Sequence, residues 1–184
     1  MSPQATTYVD VLRPHSKSWA RVFDVFMVLS GSLAIAMAAQ LSVRLPFTPV
    51  PISAQTMAVL LVGALLGCNR GSLAVATYIA QGAMGLPVFA GGAFGLPYLL
   101  GPTGGYLFGF IAAAAIVGWL SERGWDRRFS TTLAAMLLGS AVIYLAGVAW
   151  MGTYVGFARA IQLGVLPFVA GDMVKILMAA TLLP

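Results

Sequence analysis

Charged side chains divide the chain into long apolar stretches. None occurs from Leu45 to Asn69, from Gly71 to Ser121 or from Phe129 to Ala158. A helix crossing a bilayer core of about 30 Å needs roughly 20 mainly apolar residues. A charge near its centre costs about 2.5–3.5 kcal/mol on insertion scales. Charge-free stretches are therefore where membrane can lie, and glycine, proline and polar residues mark the breaks inside them. The pattern predicts six spans: Val22–Val43, Val50–Gly67, Gly71–Leu86, Gly104–Leu120, Leu133–Trp150 and Val165–Leu183. Strands of a membrane barrel would be about 9–11 residues of alternating polarity. Stretches such as Ile111–Val117 are continuously apolar and alanine-rich instead, which favours helix. The predicted fold is an all-α integral membrane protein of six transmembrane helices. A polar N-terminal segment, residues 1–21, precedes a single membrane domain, residues 22–184.

Composition sharpens this reading. Of 184 residues, 60% are hydrophobic and 8% charged, against about 25% charged in soluble domains. A soluble chain of this size buries only about 70% of its unfolded surface, too little to hide so much apolar side chain. A soluble domain, a disordered chain and a secreted disulfide scaffold are excluded. Ala36-Met-Ala38 imitates the cleavage site of a signal peptide, but Asp24 interrupts the apolar run and the run continues past Ala38. The first span is expected to be retained.

Charge sets the orientation. With the N-terminus cytoplasmic, Arg13, Lys17, Arg21, Arg70, Arg123, Arg127 and Arg128 lie inside, and only Arg44 and Arg159 fall outside. That bias is the positive-inside pattern. It accounts for the net charge of +5 through anionic lipid headgroups, with no nucleic-acid partner.

Familiar catalytic chemistry is absent from the sequence. There is no GxxxxGK[ST] phosphate loop. The single histidine, His15, lies in the polar N-terminal segment, and Cys68 is the single cysteine. No metal-ligand cluster, cofactor motif or Ser/His/Asp set can be assembled from these residues, and no enzyme activity is expected.

Three constellations remain. The first is Gly171-Asp172-Met173-Val174-Lys175 in the last span. Opposite charges at i and i+3 share a helix face, and ionisable residues in a membrane helix are functional candidates. The pair offers an acceptor and a donor to a small polar ligand; the competing reading is an internal ion pair that only neutralises itself.

The second lies in the two outer connections. Gly85–Gly105 holds seven glycines and three prolines without a charge, yet keeps Phe89, Phe94 and Tyr98. A solvated linker would be rich in serine or charge, so this one reads as an ordered, partly buried loop able to close over a ligand. The smaller connection, Leu45–Gln55, carries Pro46, Pro49 and Pro51 and is expected to be stiff and extended. It delivers the Gln55 amide to the top of the second span, for ligand contact or helix packing alike. The third constellation, Ser30-x3-Ala34-x3-Ala38, forms a small-residue helix face that another membrane helix can approach closely. On the residues alone, packing within the bundle is favoured over docking of a partner.

In this order, these residues resemble the BioY family, the biotin-specific substrate-capture (S) components of energy-coupling factor (ECF) transporters. The matching stretches are Pro46-Phe-Thr-Pro-Val-Pro-Ile-Ser-Ala-Gln55-Thr, Gly85-Leu-Pro-Val-Phe-Ala-Gly-Gly92, Gly101-Pro-Thr-Gly-Gly-Tyr-Leu-Phe-Gly-Phe110 and Gly171-Asp-x-x-Lys175. The resemblance implies a six-helix S-component-like bundle in the cytoplasmic membrane that captures biotin near its outer face. It implies ligand contacts from Asp172, Lys175, Gln55, Phe89, Gly91, Gly92 and Tyr98. It also implies that Ser30, Ala34 and Ala38 dock on a transmembrane coupling subunit, itself joined to ATPase subunits. Biotin would be the transported substrate rather than a cofactor. An S component for another vitamin, or a stand-alone transporter without an ATPase, are the alternatives.

Overall fold

The computed structural model describes residues 7–183, so residues 1–6 of the predicted N-terminal segment and residue 184 lie outside the described residues. The elements are α1 (Tyr8–Val11), α2 (Lys17–Gln40), β1 (Ser42–Val43), β2 (Ile52–Ser53), α3 (Gln55–Ala83), α4 (Leu96–Leu99), α5 (Gly104–Ser121), α6 (Phe129–Val155), α7 (Phe157–Gly164) and α8 (Leu166–Leu182). Among the described residues, α2, α3, α5 and α6 are each long and apolar enough to cross a membrane. The α7–α8 pair, bent by 43°, would make a fifth crossing.

α3 is not one straight rod. Gly67 has φ 84° and ψ 179°, a conformation open to glycine and strained for residues with a Cβ. A Cβ at Gly71 would lie 2.9 Å from the Gly63 Cα, whereas eight residues of straight helix span about 12 Å. The helix therefore folds back at Gly67, and its two arms lie side by side. Gln55, at the start of the first arm, bonds Tyr78 of the second, with Nε2 donating to the hydroxyl at 2.6 Å.

α5 fills the centre, packed between α3 and α6. Its alanines and glycines let neighbouring backbones come close: a Cβ at Gly63 would meet the Ala114 carbonyl oxygen at 2.7 Å. Val59, Leu60, Ala113, Val117 and Met136 are fully buried where the three helices meet. α2 packs chiefly on α3, where the Ser32 hydroxyl donates to Gln81 Oε1 at 2.8 Å. Leu29, Leu33 and Met37 are left on its exposed face.

One end of the bundle is polar and basic. Arg70, beside the Gly67 bend, joins Asp10 of α1 and Asp24 of α2, and Arg13 pairs with Asp24 at 2.6 Å. Burial pushes the Asp10 carboxyl up, but hydrogen bonds from Arg70 and Thr7 outweigh it and hold the group below its ordinary value of 3.8. Arg123, Arg127 and Arg128 lie between α5 and α6 at this same end.

The other end carries the two connections. The Leu45–Gln55 connection departs from the extended form expected of it. Ser42 pairs with Ser53 and Val43 with Ile52 in a small antiparallel ribbon, so a trace of β-structure accompanies the helices. The prolines sit in the turn region or just before β2, where no ladder donor is needed. The Thr48 hydroxyl fastens this loop to the Leu163 carbonyl at 2.7 Å.

The 85–105 loop is ordered, as its composition suggested. Phe89, Ala90 and Leu99 are buried, and the Trp150 indole donates to the Gly101 carbonyl at 3.0 Å. A Cβ at Gly82 would lie 2.1 Å from the Phe89 ring, so only glycine there leaves room for that side chain.

Candidate functional site

Six elements converge beneath these connections. β2 and the start of α3 bring Ser53, Gln55 and Thr56; α4 brings Tyr98. The start of α5 contributes Thr103 and Tyr106, α6 contributes Ile143 and Tyr144, and α8 contributes Phe168, Asp172 and Lys175. Together they line a cavity of about 50 Å³. Pro167 occupies the first turn of α8, where its missing N–H costs no helical hydrogen bond. Asp172 and Lys175 follow at i and i+3, directed at the same wall.

The ion pair is short and shielded. Lys175 Nζ lies 2.7 Å from Asp172 Oδ1, with side-chain exposures of 20% and 8%. Removing one partner of such a pair costs more than removing both, because a lone buried charge is left behind. The surrounding donors hold the carboxylate in place. Thr56 Oγ1 donates to Oδ1 at 3.2 Å, and the Tyr144 hydroxyl donates to Oδ2 at 2.5 Å. The ammonium also donates to the Ser53 carbonyl at 2.6 Å and reaches Thr56 Oγ1 at 3.4 Å.

Counting positions separates the two charges. An ammonium has three N–H donors, and an ionised carboxylate has about four acceptor positions. All three Lys175 donors have protein partners. On Asp172, Lys175 and Thr56 fill Oδ1, while Tyr144 takes one position on Oδ2. The open acceptor is on Oδ2.

Of the residues singled out in the sequence, Asp172, Lys175, Gln55 and Tyr98 line the cavity. Gln55 is committed on both atoms: besides its bond to Tyr78, its Oε1 accepts from the Ser53 hydroxyl at 3.2 Å. Phe89 lies outside the cavity wall, fully buried behind Tyr98. The two rings stack with centroids 5.1 Å apart, and Tyr78 meets Phe89 edge-on at 5.6 Å. Gly91 and Gly92 form the turn after Phe89, with the Gly92 N–H donating to the Phe89 carbonyl at 3.0 Å, and neither lines the cavity. The exposed Arg44 guanidinium packs over Gly91, 3.1 Å from where a Cβ would stand.

Ser30 is exposed, and Ala34 and Ala38 are half-exposed, on the outer side of α2, whereas Ser32, Ile35, Ala36 and Ala39 face inward. Sequence reasoning missed Thr56, Tyr106 and Tyr144. Thr56 follows Gln55 directly and shares its helix start; Tyr144 stands in a long apolar run where nothing but its hydroxyl marks it.

The chain matches the sequence profile of the BioY family over residues 13–184. It is 45% identical over 139 residues to the biotin transporter BioY of Thermotoga maritima, covering 75% of this chain and 81% of that one. It is 37% identical over 167 residues to the biotin transporter BioY of Rhizobium etli, covering 86% and 89%. In fold it resembles the crystal structure of the S-component for biotin from an ECF-type ABC transporter. The TM-score is 0.81 at 24% identity, over 92% of this chain and 93% of that one.

Proposed function

The chain belongs to the BioY family, and on that premise we propose that it captures biotin in the cavity beneath the two connections. We infer that it delivers biotin across the cytoplasmic membrane as the S component of an ECF-type transporter. The observation that carries this reading is the buried Asp172–Lys175 pair on a wall otherwise rich in aromatic and aliphatic side chains. Membrane insertion penalises both charges, and a polar ligand gives them a use beyond neutralising each other.

Biotin's chemistry fits the open positions. Its ureido ring carries two N–H donors and one carbonyl, its thioether ring is apolar, and its valerate tail ends in a carboxylate. Asp172 Oδ2 accepts one ureido N–H. Lys175, with its donors committed, pairs with Asp172 and ties it to Ser53 of β2. Tyr98, Tyr106 and Phe168 flank the apolar rings. Ligand pockets usually measure about 300–1,000 Å³, so the cavity widens to admit biotin.

In the membrane, this reading counts six crossings: α2, the two arms of α3, α5, α6 and the α7–α8 pair. The basic end around Arg70 and Arg123–Arg128 faces the cytoplasm, in accord with the positive-inside tendency. Lipid surrounds the bundle, and Ser30, Ala34 and Ala38 on the outer side of α2 meet a transmembrane coupling subunit that carries the ATPases. Transport of this kind makes and breaks no covalent bond in biotin and requires no cofactor in this chain.

Uptake of labelled biotin into cells deficient in their own biotin uptake tests the assignment. Uptake that requires co-expressed coupling and ATPase subunits is the expected result. Equal uptake without them would replace the S-component role with stand-alone transport.

A further inference from the structure

Tyr144 stands between two spaces. Its hydroxyl side faces the cavity with Asp172. Its other side lines an apolar groove of about 570 Å³ between α6 and α7, bounded by Leu145, Val148, Phe157, Ile161 and Val165. Ile161 and Phe157 are exposed at the outer surface, so the groove opens away from the bundle. Tyr144 is the one residue common to both linings.

The hydroxyl has a second consequence. Lys175 and Thr56 both pull on Oδ1, and among the described residues Tyr144 is the single donor on Oδ2. It therefore fixes the direction in which the remaining Oδ2 acceptor points. Without it, only the contacts on Oδ1 resist rocking about the last torsion, which is broad for an sp³–sp² bond. A planar ureido N–H needs that direction held, because hydrogen bonds weaken steeply off-axis.

We propose that Tyr144 is a positioning and specificity residue of the biotin site, its hydroxyl aiming Asp172 Oδ2 at a ureido N–H and its ring walling the cavity off from the α6–α7 groove. This rests on the placement of biotin against Asp172 proposed above. It follows that the site rejects biotin alkylated on the ureido nitrogen that faces Asp172. An alkyl group there removes the N–H and meets the Tyr144 ring. With the ring gone, the groove behind it has room for the substituent.

The test measures equilibrium affinities of purified protein for biotin and for both N-methyl isomers of its ureido group. The proteins are the parent, Tyr144→Phe, Tyr144→Ala, Asp172→Asn and the Tyr144→Phe/Asp172→Asn double variant, each checked for folding by thermal melting. Tyr144→Phe should bind biotin about tenfold more weakly, the usual scale of one hydrogen bond to a charged group, while the isomer methylated on the nitrogen facing Asp172, with no N–H there to lose, should weaken less. The same change in the Asp172→Asn background should have little further effect, a coupling that a purely structural tyrosine would not show. Tyr144→Ala should narrow the preference for biotin over that N-methyl isomer by at least tenfold more than Tyr144→Phe does. If the alanine variant does not fold, Tyr144→Val puts the same question.

Parent-like affinity of Tyr144→Phe, additive losses in the double variant, or a preference in Tyr144→Ala or Tyr144→Val no narrower than in Tyr144→Phe would each overturn the proposal. Parent-like binding by Asp172→Asn would instead remove the underlying placement of biotin.

Discussion

Replacing Lys175 by methionine, alone and together with Asp172→Asn, separates structural neutralisation from ligand binding. In Lys175→Met the carboxylate loses its 2.7 Å ammonium partner at a side chain only 8% exposed. Breaking a buried pair from one side costs about 3–5 kcal/mol. Asp172 keeps the hydrogen bonds from Tyr144 and Thr56, which places the loss near the lower bound, about 3 kcal/mol. For a chain of this length that corresponds to a fall in Tm of about 6–12 °C. Adding Asp172→Asn removes the uncompensated charge and should recover most of the fall. The residual loss is the Ser53 carbonyl, deprived of its 2.6 Å donor, at about 1–3 kcal/mol.

Binding should not recover with stability. Asparagine offers a neutral oxygen in place of a charged acceptor, and a lost charge-assisted hydrogen bond is worth about 1.5–3 kcal/mol, or roughly 10- to 150-fold in affinity. Thermal melts in detergent and equilibrium biotin binding on the same preparations read the two quantities. A double variant that regains stability and also binds biotin as the parent does would refute the reasoning, since the pair would then serve the helix alone.

Other outcomes follow from the packing around the site. Phe89→Leu removes two aromatic contacts, to Tyr78 and Tyr98, each worth about 0.5–1.5 kcal/mol; biotin affinity and melting temperature should both fall, and unchanged affinity would separate Tyr98 from the ligand. Large residues at Ala34 and Ala38 should spare biotin binding and weaken co-purification with a coupling subunit, because bulk holds helices apart; co-purification that survives both changes would remove the docking role. The lowered Asp10 carboxyl contributes stability that is present above its unfolded value, about 3.8, and is lost as pH falls through its lower folded value. Acid melts of Asp10→Asn should accordingly show a shallower decline below pH 4 than the parent, and identical declines would assign no stability to the Arg70 contact.

The fold was legible where charge borders apolar sequence. α5 begins where predicted and ends one residue later, because Glu122 and Arg123 close the apolar run. The bend falls at Gly67, the last residue of the second predicted span, just before Arg70 separates two hydrophobic stretches. α7 escaped prediction: eight residues bearing Arg159 and Gln162 carry no membrane-length signal, and the helix is set by its packing on α6 and α8. The ribbon of β1 and β2 was equally hidden, since its two residue pairs depend on the loop closing rather than on strand propensity.

The site divides along the same line. Asp172 and Lys175 stood out because charge within a membrane helix is costly, Gln55 because it sits in a motif, and Tyr98 because it is an aromatic kept in the charge-free loop. Tyr144 is distant from Asp172 in sequence, and only the packing of α6 against α8 brings its hydroxyl to the carboxylate. The stack of Phe89 behind Tyr98 likewise depends on the room left at Gly82. One-dimensional spacing carries neither relation.

The central claim is that this chain, by itself, holds biotin. Calorimetric titration of the purified protein, without coupling or ATPase subunits, tests it most directly. The account predicts saturable binding of one biotin per chain that other water-soluble vitamins do not displace. No saturable binding, or displacement by another vitamin at equal concentration, would contradict it.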